Sequence, residues 1–167
     1  MKAGKVCHIY GDPHFHTFDE DFYSFQGDCT YVAVETCKDP PEGSPPFTLL
    51  IHNDALIPEE RFTYLTMVRL HFAGNTYKLK YTGEILVNDY NFAQSLPYSN
   101  DHIEITKSGK YITLVTSFGL KITYDGENDA EISLPPNYFG KVCGLCGNAD
   151  GNSTNDKQMR DGTLVNI

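Results

Sequence analysis

CGLCGNADGNSTND, residues 143–156, sets two cysteines among asparagines, aspartates and glycines, with almost nothing apolar. Such a stretch has four readings: a redox CxxC, a zinc knuckle, a calcium loop, or a turn pinned by disulfides. A redox pair needs a helix N-terminus to lower a thiol pKa, usually in a βαβ setting. Zinc needs a second pair of ligands. Calcium needs six to eight oxygens gathered by a tight loop. A pinned turn needs only distant cysteines.

The other cysteines, Cys7, Cys29 and Cys37, lie near the start of the chain and contain no CxxC of their own. Two sets so far apart fit long-range disulfides in an oxidising compartment better than a cytosolic zinc site. The sequon Asn152-Ser153-Thr154 makes Asn152 a candidate glycosylation site, in keeping with secretion. The 167 residues suit one domain with a real core, residues 7–156, followed by a polar tail over 157–167. Thirteen basic residues against 22 acidic ones leave a formal charge of −9, which repels nucleic acid and anionic membranes and suits calcium. No apolar run reaches the length of a membrane span. The opening MKAGKVCHIYG lacks the apolar stretch of a signal peptide, as expected of a fragment taken from a longer secreted chain.

Between the cysteine sets the sequence reads as β-structure. CTYVAVETC, DHIEITKSG and KYITLVTSFGLKITYDG alternate apolar and polar residues. FTLLIHND and RFTYLTMVRLHFAGNTYKLKY are β-branched and aromatic, with turn residues in AGN, TGE and KSGK. Short strands separated by turns predict an all-β fold, an antiparallel sandwich. KDPPEGSPP, with four prolines, is expected as an exposed loop. No segment keeps a helical period, which leaves CxxC redox chemistry without its helix.

The N-terminal stretch adds GDPHFHTFD, then FQGDCTYV and a further cysteine. With CGLCGN and DG far downstream, this order of motifs resembles the von Willebrand factor type D domain over Cys7 to Asp156. That module occurs in secreted multidomain proteins such as gel-forming mucins, tectorins and crossveinless-type growth-factor regulators. One departure is plain: the family often reads TFDG, and this chain has Glu20 after Thr17-Phe18-Asp19. The local turn is therefore in question while the carboxylate is kept.

By composition alone, residues 148–156 are a solvated Asn/Asp/Gly turn or a calcium loop. The EF-hand is excluded, because Ser153 and Met159 stand where its sixth-position glycine and twelfth-position glutamate belong. The resemblance implies Ca²⁺, with ligands Asp19, Asn148, Asp150, Asn155 and Asp156 and a backbone carbonyl near Asn152. It also implies the disulfides Cys7–Cys146 and Cys37–Cys143. Each closes a loop of more than a hundred residues, worth about 4–5 kcal/mol in the chain-entropy model. Cys29 is then left unpaired, since its family partner lies downstream of the calcium loop and none follows here. It is expected to be inert if buried, and to form disulfide-linked dimers if exposed.

GDPH, Gly11 to His14, holds an Asp–Pro bond. In some relatives the chain is reported to cut itself there in mild acid, which would place cleavage between Asp12 and Pro13. A strand-entry turn is the plainer reading. His14 and His16 are expected to pack or bond in the sheet. No triad or nucleophile motif accompanies the histidines. The function implied is a non-enzymatic extracellular module that binds calcium and assembles with other extracellular proteins or neighbouring domains. PFTLLIHNDA resembles the crossveinless-type proteins, which implies a growth factor among the partners. A different class stays open, because ostracod luciferases carry similar domains; adding an imidazopyrazinone luciferin and looking for light separates the two.

Overall fold

The computed structural model describes residues 4–11, 14–24, 29–55, 59 and 63–155. Among the described residues fifteen strands form two sheets, and every pairing is antiparallel. The N-terminal strands are β1 (Lys5–Tyr10), β2 (His14–His16), β3 (Phe22–Ser24) and β4 (Thr30–Thr36). The central ones are β5 (Phe47–Asp54), β6 (Tyr64–Phe72), β7 (Asn75–Lys80), β8 (Ile85–Val87), β9 (Tyr90–Asn91) and β10 (Tyr98–Ser99). β11 (Ile103–Ser108), β12 (Tyr111–Thr116), β13 (Lys121–Tyr124), β14 (Ala130–Leu134) and β15 (Val142–Cys143) complete the set. The only helical pieces among the described residues are 3-10 turns at Pro136–Tyr138 and Ser153–Asn155.

One sheet runs β10-β11-β12-β13-β14-β1-β2-β3 and the other β15-β4-β5-β6-β7-β8-β9. Strict alternation makes the layers. In β5, Phe47, Leu49, Ile51 and Asn53 are buried while Thr48, Leu50, His52 and Asp54 face outward. Ile112, Leu114 and Thr116 play the same part in β12. Inward residues of both sheets belong to one buried cluster, the two-layer arrangement of a sandwich. The layers also touch through specific contacts: the Tyr124 hydroxyl (β13) donates to the Leu65 carbonyl (β6) at 2.6 Å. Phe47 and Phe72 of one sheet meet Phe118 at ring separations of 5.5 and 5.0 Å. Burial and the nearby carboxylates of Asp125 and Glu127 push the Tyr124 hydroxyl well above the usual tyrosine range.

The topology places the two cysteine sets together. β1 pairs with β14 and β15 with β4, so the start of the chain lies beside its later strands. β4 carries a bulge between Val32 and Val34. There the carbonyls of Val32 and Ala33 accept the backbone N–H groups of Leu145 and Cys146 at 3.0 and 2.9 Å. KDPPEGSPP forms no strand and buries none of its residues, as expected of an exposed loop, but it is tethered. Tyr138 O–H donates to the Pro45 carbonyl, Asn137 Nδ2 to Ser44 Oγ at 3.3 Å, and Lys141 Nζ to the Asp39 carbonyl at 3.3 Å. These contacts fasten the loop to residues 137–141.

Candidate functional site

Cys7 on β1 bridges Cys146 and Cys37 bridges Cys143, with Cα separations of 5.7 and 5.9 Å. Both halves of the CGLC motif are thus covalently tied to the N-terminal region. Its glycine has a separate duty. At Gly144 φ is +125°, and a Cβ there would lie 2.5 Å from the Ala33 carbonyl oxygen. The motif needs glycine because the bulged strand runs directly beneath it.

Residues 147–155 follow as an irregular loop built on side-chain-to-backbone bonds. Asp19 organises it from across the chain: its Oδ2 accepts the Asp150 N–H at 3.0 Å and its Oδ1 the Gly151 N–H at 2.9 Å. Lys5 Nζ lies 2.8 Å from the same Oδ1, and the Asp19 side chain is fully buried. Tyr23 O–H donates to the Leu145 carbonyl, and Phe18 N–H to the Cys146 carbonyl at 3.0 Å. Glu20 settles the question left by the missing glycine. It adopts φ +67°, and its N–H closes the turn onto the Thr17 carbonyl at 3.1 Å. The turn is retained with a non-glycine residue in the left-handed region.

Within the loop, Asp150 is the hub. Its Oδ1 accepts the Asn152 N–H at 2.9 Å, and its Oδ2 takes Asn155 Nδ2 at 2.7 Å and Asn148 Nδ2 at 3.3 Å. Asn155 Oδ1 is buried and has no hydrogen-bond partner among the described residues. Asn152 is exposed, and its Oδ1 accepts the N–H and hydroxyl of Thr154 at 3.1 and 2.6 Å. Asp19, Asn148, Asp150 and Asn155 therefore meet in one place. Asp156 lies outside the described residues, as do Asp12 and Pro13 of the GDPH motif.

Among the described residues, three acidic, histidine or cysteine ligand atoms come within 4.8 Å of one another at Glu35, Cys37 and Cys143. The Cys37–Cys143 bridge removes both thiolates, so this cluster offers no soft-metal site. Cys29 is free and exposed. His14 Nδ1 sits 2.6 Å from Ser24 Oγ, and His16 stacks on Phe22 at 4.0 Å. Both histidines thus bond or pack in the sheet. No helix among the described residues is long and apolar enough to cross a membrane.

The sequence is matched in known proteins. A family model described as von Willebrand factor type D domain matches residues 7–163. The chain belongs to the von Willebrand factor type D family. Zonadhesin of Sus scrofa is 35% identical to this type D domain over 164 residues, covering 98% of it and 6% of zonadhesin. Alpha-tectorin of Homo sapiens is 34% identical, covering 95% of the domain and 7% of the tectorin. The IgGFc-binding protein of Homo sapiens is also 34% identical, over 96% of the domain and 3% of its own length. The matching stretch is a small part of each relative.

Sequence reasoning missed Lys5, Tyr23 and the bulge carbonyls of Val32 and Ala33. Lys5 and Tyr23 act through contacts between residues more than ten positions apart, and a bulge leaves no periodic signal. Gly144 was legible in principle, as a glycine between two bridged cysteines.

Proposed function

We propose that this type D domain is a non-enzymatic, calcium-binding extracellular module that assembles with other proteins or with neighbouring domains of a larger secreted protein. Two long-range disulfides favour an oxidising compartment. Its relatives carry the matching stretch inside much longer chains, which supports a modular role.

The observation that carries the calcium reading is Asn155 Oδ1, a buried amide oxygen without a donor among the described residues, next to the Asp150 carboxylate. An unsatisfied buried acceptor costs about 1–3 kcal/mol, and a hard cation satisfies it. The donor set fits such an ion: Asp19, Asn148, Asp150 and Asn155 offer only oxygen and amide groups. We assign Asp156 to the same set on the family pattern. Bound there, Ca²⁺ would supply the positive charge that Asp150 now draws from two amide Nδ2 groups. Asp19 keeps the loop in register by holding the Asp150 and Gly151 N–H groups. Lys5 neutralises Asp19 from the strand side.

The test is thermal unfolding in calcium and in chelator, with calorimetric titration of the ion. At about 100 times Kd the gain is about 2.7 kcal/mol, which is several degrees in Tm. Asp150→Ala is expected to remove most of it. Equal midpoints and a flat calorimetric trace with the native sequence would refute the reading.

A further inference from the structure

The outer face of β6 and β7 gathers basic side chains on a molecule of formal charge −9. Only 13 of the 167 residues are Lys or Arg, yet Arg69, Lys78 and Lys80 share this face with His71. Alternation in β6 buries Leu65, Val68, Leu70 and Phe72 and turns Arg69 and His71 outward. In β7 it buries Tyr77 and Leu79 and turns Lys78 and Lys80 outward. Register then sets Arg69 directly opposite Lys78.

Like charges directly opposite across a sheet are destabilising. Little here relieves them. Lys78 Nζ reaches Asp89 only at 3.5 Å, and that carboxylate side chain is 84% exposed. Arg69 makes no hydrogen bond or ion pair among the described residues, and its Nε is buried without an acceptor. A chain with 22 acidic residues has set none of them across from Arg69. The potential reaches His71, whose imidazole titrates below its ordinary range because of burial and then the Arg69 and Lys78 charges.

We propose that this face docks a short acidic segment of a partner protein. Basic side chains run along the strands in the order His71, Arg69–Lys78, Lys80. The charges are Arg69, Lys78 and Lys80, and His71 stands at the head of the line as an uncharged imidazole. Steps of about 6.8 Å between alternate residues give a line about 14 Å long. An extended peptide presents alternate side chains at the same repeat, so successive carboxylates meet successive cations. Leu50, opposite Arg69, and Met67, opposite Lys80, add half-buried apolar surface beside the line. Length decides against a sulfated glycan. Around the line stand Asp54, Glu84 and Asp89, the last within reach of Lys78, in a molecule of net charge −9, so a long polyanion overlies repelling charge.

This partner assignment rests on the reading of the chain as an interaction module but not on calcium. A failed calcium titration therefore leaves its test intact. The probe is a blocked hexapeptide alternating Glu and Val, titrated into the ¹⁵N-labelled chain, with the Lys-Val analogue and a heparin hexasaccharide as parallel arms. Amide shifts are expected to saturate and to centre on residues 69, 71, 78 and 80. The fit should weaken several-fold between about 50 and about 200 mM salt. Arg69→Gln with Lys78→Gln should weaken it about tenfold or more, while Lys107→Gln with Lys121→Gln leaves it unchanged. Relief of the like-charge pair should leave the free Arg69→Gln variant at least as thermostable as the parent. Shifts scattered over the surface, equal loss in both double variants, or saturation by heparin alone would overturn the proposal.

Discussion

The hairpins β11–β12–β13 and the loop after Cys143 are held by opposite means. Six register pairs join β11 to β12 and four join β12 to β13, with short turns between them. These pairings are local in sequence. The loop has no ladder beyond the two residues of β15. It is fixed by Cys7, Cys37, Asp19, Tyr23 and the β4 carbonyls, all more than a hundred residues away. A hairpin tolerates the loss of any one contact because its neighbours repeat it. The loop repeats nothing, so each tie is separately exposed to mutation.

The sharpest way to break the comparison is to cut a covalent tie. Cys7→Ser with Cys146→Ser is expected to lower stability by about 5 kcal/mol, because the bridge closes a loop of sequence separation 139. Chemical denaturation measures this, and a loss below about 1 kcal/mol would show that the loop is held without its bridge. Next is Gly144→Ala. The added methyl meets the Ala33 carbonyl at 2.5 Å and demands a left-handed φ, so a loss of about 2–4 kcal/mol is expected. Alanine at Gly109, in the β11–β12 turn, meets nothing within 4 Å. It is expected to cost only the conformational penalty of about 1–2 kcal/mol. Equal losses at the two glycines would erase the distinction between loop and hairpin.

Tyr124→Phe probes the hairpin side. It removes one bond between the sheets while keeping the ring, with an expected cost of about 1–2 kcal/mol by equilibrium unfolding. An unchanged midpoint would mean that the Leu65 carbonyl finds another donor. Smallest is Glu20→Gly, where the left-handed φ of +67° favours glycine. A gain of about 1 kcal/mol is expected, together with tighter seating of Asp19 beneath the loop. A loss instead would show that the Glu20 side chain contributes more than its backbone costs.

The same contrast explains what could be read in advance. FTLLIHND was visible as β5 through its β-branched and aromatic composition, a property of adjacent residues. DHIEITKSG and KYITLVTSFGLKITYDG likewise became β11, β12 and β13. The three-residue strands β2, β3 and β8 and the two-residue β9 and β10 are too short to carry a period. The loop was legible only by analogy. No spacing rule says that Cys7 takes Cys146 rather than Cys143, and the family resemblance supplied that choice. Glu20 shows the limit of analogy in turn: a missing family glycine suggested a changed turn, and the backbone kept it.

The Cys7–Cys146 bridge also has a mechanical consequence. Suppose the chain is pulled from points before residue 7 and beyond residue 146. Force then crosses from one side to the other through a link whose Cα atoms are 5.7 Å apart. The 138 residues between them carry no load and cannot be unravelled while the bridge is intact. In a filament under shear such a domain adds almost nothing to extensibility, and it keeps its outer sheet faces presented at full tension. Reducing that sulfur pair alone would free only the segments outside the nested Cys37–Cys143 bridge; both pairs must be reduced before the domain becomes a spring.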